Sequence, residues 1–301
     1  MKKILLILLV ITGIFAGCTQ NKVANEPKEK NVNEHSEKNE NDPSENIAKE
    51  TASLSNMANE SSFSFVAKAL DNSLGADNDM AKANVDKFMA MVSDYNKSVG
   101  ESNLIGDFKE GLNPTYDTGK LIDTRKNAKK NFPDTNCRIN AYLLAVANLK
   151  VQRAGNPDDE MLFMDLEKIK EGKIFDGQVE ETFKKFFSRV KAKNSKNPED
   201  QAKVMEHYFS GWAFPKDADL VSVVINDNLD GNYLFIGHIG VLVKIEGGYL
   251  FVEKISFEEP YQAIKFPNRQ ACYDYLKDKF KDFTDPDTCP PFVMDNGEYV
   301  G

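Results

Sequence analysis

The chain has 301 residues and carries 38 basic against 47 acidic side chains, for a formal net charge of -9. That acidity argues against nucleic acid or anionic lipid surfaces as partners, because both are bound through basic patches. An aromatic content of 10%, led by 20 Phe, is ample for a core, and with three His and no CxxC pair neither a metal nor a cofactor is expected.

Met1-Lys2-Lys3 is a short basic start, and residues 4–15 are apolar apart from Thr12 and Gly13, the order of a secretory signal. The run is shorter than the roughly 20 residues a membrane-crossing helix needs. Phe15-Ala16-Gly17-Cys18 resembles the lipobox of bacterial lipoproteins. The resemblance implies that residues 1–17 are removed and that Cys18 carries a diacylglyceryl group. That lipid would anchor the chain at the extracytoplasmic face of the bacterial cytoplasmic membrane, two acyl chains holding much more firmly than one. Residues 18–52 then comprise the lipidated cysteine and a tether of Asn, Glu, Lys, Ser and Asp, in which Val23, Val32 and Ile47 are the branched apolar residues. Such a segment buries too little apolar surface to order itself. The remainder, 53–301, is expected to form a single domain.

Val85, Phe88, Met89, Val92, Tyr95 and Val99 recur at helical spacing and predict a helix over 85–99. A long turn-rich stretch, about 101–132, follows with Asn113-Pro114 and Asp117-Thr118-Gly119. Further helices are predicted from Cys137, over about 158–170, through Val179, Phe183, Phe186, Phe187 and Val190, and from Pro198 to about Phe209. After Trp212 the pattern turns to strands at 220–225, 233–245 and 249–257, with Gly247-Gly248 as the hairpin signal between the last two. A helix over about 269–280 and a strand near 292–294 close the chain. Helices followed by an antiparallel sheet define an α+β fold, with the Cys137 helix packed on the C-terminal sheet.

With Cys18 lipidated, Cys137, Cys272 and Cys289 remain. Cys272 and Cys289 flank the last predicted helix, and whether they pair is left open. Cys137 follows Asp134-Thr135-Asn136, three residues suited to an N-cap, and Ile139, Tyr142, Leu143 and Val146 then run at helical spacing. A cysteine in a first helical turn faces unpaired N–H groups and the helix dipole, which favour a thiolate. His238 is the one imidazole in the apolar run Phe235-Ile236-Gly237-His238-Ile239-Gly240-Val241-Leu242-Val243, and is a candidate base for that thiol.

A cysteine opening a helix, followed about a hundred residues later by Gly-His-Ile-Gly-Val-Leu-Val on a strand, resembles the NlpC-type branch of papain-like cysteine hydrolases. That likeness implies Cys137 as nucleophile, His238 as base, an orienting polar residue on the next strand, and an amide bond, as in cell-wall peptides, as the target. The chain departs from the pattern with Asn136 where an aspartate is usual, and with Arg138 and Ile139 where small residues are usual. Asn136-Cys137-Arg138-Ile139-Asn140, Ala213-Phe214-Pro215-Lys216-Asp217-Ala218, Asn228-Leu229-Asp230-Gly231 and Phe251-Val252-Glu253-Lys254 also resemble an uncharacterised family of bacterial lipoproteins carrying the domain of unknown function 4300, over about 54–296.

If Gly247 and Gly248 form the turn, position 242 pairs with 253 and 238 with 257. Glu253 then shares the His238 face but lies four residues along, and Glu259, a diagonal neighbour, is the second candidate. The expectation is a lipid-anchored thiol hydrolase using Cys137, His238 and Glu253. The alternative is a non-catalytic surface lipoprotein binding a peptide, a glycan or an envelope protein, with Tyr116 and Trp212 lining a groove.

Overall fold

The computed structural model describes residues 51–301 apart from 77, 153 and 154. The signal, Cys18 and the tether to residue 50 lie outside the described residues. Local chemistry sets most helix starts. Asn or Asp side chains accept from first-turn N–H groups at α1 (Glu60–Leu70), α2 (Asp79–Val99), α3 (Thr118–Asn127), α4 (Cys137–Ala145), α6 (Gly177–Phe186), α7 (Pro198–Phe209) and α8 (Arg269–Phe280). Among the described α-helices α5 (Phe163–Gly172) alone lacks such a cap, and a turn of 3₁₀ helix, Glu160–Leu162, leads into it.

The described strands are β1 (Ser53–Ser55), β2 (Lys109–Glu110), β3 (Lys150–Val151), β4 (Val190–Lys191), β5 (Trp212–Ala213), β6 (Ala218–Asp227), β7 (Tyr233–Ile245), β8 (Gly248–Lys254), β9 (Tyr261–Phe266), β10 (Phe292–Asp295) and β11 (Glu298–Tyr299), with β5 to β9 consecutive. Among the described residues they build one nine-stranded antiparallel sheet in the order β11-β10-β6-β7-β8-β9-β1-β2, with β4 pairing the start of β7, and a small β3-β5 pair. The fold is α+β. No described helix is long and apolar enough to cross a membrane.

Period-two alternation divides the sheet into two buried faces. On one, Ile239, Val241, Val243, Leu250 and Val252 pack against Phe88 and Val92 of α2, Leu143 and Leu144 of α4, and Phe183 and Phe186 of α6. On the other, Val221, Leu242, Phe251 and Ile264 pack against Cys272, Tyr275, Leu276 and Phe280 of α8. Tyr142 anchors α4 by meeting the Phe183 ring at 5.3 Å and donating to Thr182 Oγ1 at 2.8 Å.

Several expectations change. The 101–132 stretch contains α3, opened by Asp117 accepting from Lys120 N. Val190 leaves its helix and joins β4, and the strand expected over 249–257 ends at Lys254. Cys272 and Cys289 are both free thiols, on opposite faces of the sheet, so no bridge joins them. Trp212 is buried edge-on against Phe186, and the Tyr116 hydroxyl accepts from Asn56 and Gln262.

Candidate active site

Asn136 opens α4. Its side chain accepts from Ile139 N at 3.2 Å, which places Cys137 as the first helical residue. The sulfur and the His238 imidazole are near enough for each to shift the titration of the other. Nε2 of His238 is 2.6 Å from Oε2 of Glu253, so Nδ1 is the ring nitrogen not engaged by the carboxylate. The structure joins His238 to Glu253 directly and sets Cys137 beside His238. Glu259 is not part of this set. It lies in the turn between β8 and β9, where its N–H donates to Ser256 Oγ at 3.1 Å.

The hairpin explains why Glu253 reaches. Ile245 pairs with Gly248, so the two turn residues are Glu246 and Gly247, the latter at φ +80, a conformation suited to glycine. This moves the ladder two residues from the expected register, and the face is kept. Val241 pairs with Val252, and continuing the ladder sets Glu253 opposite Gly240, one diagonal step from His238. On the other side of β7 a bulge between Val223 and Val224 shifts the pairing beside His238.

Helix α8 supplies the support that the sequence reading did not identify. Tyr275 donates its hydroxyl to Glu253 Oε1 at 2.5 Å, Lys279 Nζ donates to that hydroxyl at 2.6 Å, and Phe280 stacks on the His238 ring at 4.9 Å. Tyr275 and Lys279 stand at helical i,i+4 spacing, which was the available signal. A second unforeseen group is Asp165 on α5, a fully buried carboxylate that receives both Asn136 and Arg138. It interrupts the stripe Leu162, Leu166, Ile169, and a carboxylate on an apolar helix face was its signature.

The electrostatics follow from these contacts. Burial alone would push the Cys137 thiol up, but the neighbouring His238, aided by the Arg138 charge, outweighs it and holds the thiol below its ordinary range. Burial would lower His238, yet Cys137 and Glu253 raise it to about 9. For Glu253 burial is overcome by the Lys279 charge, His238 and the Tyr275 hydroxyl, which bring it down to about 2. Cys272 and Cys289 go the other way, because burial pushes both thiols up. Among the described cysteines only Cys137 is held toward the thiolate.

The neighbouring Lys254 faces the opposite side of the sheet. Its Nζ donates to the carbonyls of Ser256, Phe257 and Glu259 at 2.7, 3.0 and 2.7 Å and lies 4.8 Å from the Tyr95 ring, tying down the β8–β9 turn. That turn and α3 border a depression of about 290 Å³ lined by Ile122, Lys126, Lys130, Asp134 and Phe257. None of Cys137, His238 and Glu253 lines it.

The site thus draws its thiol from the start of α4, its imidazole from β7 and its carboxylate from β8. The chain belongs to the family described as Domain of unknown function (DUF4300), whose match spans residues 53–300. No curated protein and no solved structure matches it.

Proposed function

We propose that the chain is an extracytoplasmic thiol hydrolase that cleaves an amide bond, held at the membrane by a lipid on Cys18. The observation that carries the reading is the Cys137–His238–Glu253 set with its paired shifts, the thiol down and the imidazole up. A thiolate is the reactive form of cysteine, and an imidazolium beside it is already charged with the proton the leaving group requires. In this scheme Cys137 Sγ attacks the amide carbon and the C–N bond breaks as His238 gives its proton to the departing amine. Water, deprotonated by His238, then cleaves the thioester and regenerates the thiol. Glu253 holds the ring and balances its charge. The Cys137 N–H at the start of α4 is suited to the developing oxyanion. The family likeness to NlpC-type papain-like hydrolases points to envelope peptides as substrates.

The burial of Cys137 and His238, 4% and 1% exposed, favours a second reading. In it the scaffold is a non-catalytic surface lipoprotein that binds a peptide, a glycan or an envelope protein. Incubation of the folded chain with cell-wall peptides, followed by measurement of newly released amines, separates the two. Release that disappears in Cys137→Ala supports the hydrolase. Equal release from both proteins, or none from either while binding persists, supports the binder.

A further inference from the structure

The two residues that flank Cys137 end on a single carboxylate. Asp165 Oδ1 accepts from Asn136 Nδ2 at 2.8 Å and from Arg138 Nε at 2.9 Å, while Oδ2 accepts from Arg138 Nη2 at 2.7 Å. The fork on Arg138 is bidentate, the strongest and most directional form of this contact. Asn136 is at the same time the cap of α4, through Ile139 N. Arg138 Nη1 extends to the Ile236 carbonyl at 3.4 Å, on β7 two residues before His238. One line of polar contacts thus runs from α5, through both neighbours of the thiol, to the strand that carries the imidazole.

Stability alone accounts poorly for this arrangement. Asp165 is fully buried, and a buried ion pair often does no better than apolar side chains of the same volume. What the pair supplies is directional constraint on both sides of Cys137 and a tie to the His238 strand. We infer that Asp165 is a positioning residue for Cys137, acting through Arg138 and Asn136 to set the placement of the sulfur against His238. The inference rests on the reading of Cys137 as a nucleophile.

The sign of one shift separates positioning from simple electrostatics. The charged groups acting on the thiol are His238 and Arg138, which lower it, and Asp165, which raises it. Removing the Asp165 charge with the geometry intact lowers the thiol further. Removing the constraint loosens the contact with His238, and burial then raises it. Arg138→Lys makes the same separation from the other partner, since it keeps the charge and loses the fork.

The test is a pH titration of thiolate ultraviolet absorbance, taken as the difference from Cys137→Ser, for the wild type, Asp165→Asn and Arg138→Lys. Thermal melts report whether each is folded. We expect the midpoint to rise in both variants by about one pH unit or more, roughly a tenfold loss of thiolate on the acid side. A folded Asp165→Asn whose midpoint falls or stays, or an unmoved Arg138→Lys, overturns the inference. If Asp165→Asn does not fold, Arg138→Lys decides alone. A wild-type midpoint in the ordinary thiol range would instead overturn the hydrolase reading, and this inference with it.

Discussion

His238 and Glu253 meet at 2.6 Å although they are not opposite one another on β7 and β8. The position that continues the ladder opposite Glu253 is Gly240, which carries no side chain. The two longer side chains meet diagonally across it, and the Phe251 ring fills the remaining space. A Cβ at Gly240 would stand 2.4 Å from Phe251 Cζ and 2.8 Å from the Val252 carbonyl oxygen.

Gly240→Ala should therefore cost roughly 2–4 kcal/mol, by forcing apart a packed ring and a paired backbone. Denaturant unfolding measures this. Gly177→Ala provides the contrast. It sits at the first position of α6, where a Cβ meets nothing within 4 Å, and should stabilise by about 0.5 kcal/mol. A neutral Gly240→Ala would show that β7 and β8 are not as close as described.

Glu253→Gln keeps the shape and removes the charge. His238 should then titrate below about 9, by at least one unit in an NMR titration of its ring protons, and the thiol should rise in step. Acid stability should change as well. The Glu253 carboxyl falls from the usual 4.5 to about 2 on folding, so its contribution is complete above about 4.5 and is lost as the pH falls toward 2. The pH-dependent part, on the order of 3 kcal/mol, should be absent from Glu253→Gln. An unchanged acid-unfolding profile would contradict the role given to Glu253.

Lys254 adds a second rise of stability with pH, at alkaline pH. Burial lowers its ammonium from 10.5 to about 7, so the folded chain binds fewer protons there than the unfolded chain does. Its contribution to stability therefore rises from about pH 7 to about 10.5. His238, raised from 6.5 to about 9, opposes this over its own range, its contribution being lost as the pH climbs. Lys254→Met should remove the rising component and leave the falling one, and it should loosen the β8–β9 turn, whose three carbonyls lose their donor. Unfolding free energies at pH values across this range test it. Parallel profiles for the two proteins would sink the assignment.

Much of this was legible in the sequence because it is local. Pro198 with Asn197 before it marks the start of α7, Asn136 marks the start of α4, and β7 follows the apolar run that contains His238. The residues that complete the site are brought in from a distance. β1 pairs with β9 across some two hundred positions, and Tyr275, Lys279 and Asp165 reach the site through tertiary packing, so the local patterns that mark them do not say which side chains they meet. The hairpin shows the limit of register reasoning. Choosing Gly247-Gly248 over Glu246-Gly247 as the turn kept Glu253 on the correct face but set it two residues too far from His238. The face depends on parity, whereas the offset depends on which glycine takes the positive φ.

The central claim is that His238 holds Cys137 as a thiolate. Its most direct test is the pH dependence of iodoacetamide alkylation, with the modified cysteine identified by mass, in the wild type and in His238→Asn. Cys272 and Cys289 serve as internal references, because burial raises both. The account predicts that Cys137 is the cysteine modified at neutral pH, that its rate persists well below the ordinary thiol range, and that His238→Asn lowers the neutral-pH rate by about tenfold or more. A Cys137 rate that climbs only through the ordinary thiol range, unchanged by His238→Asn, would contradict it.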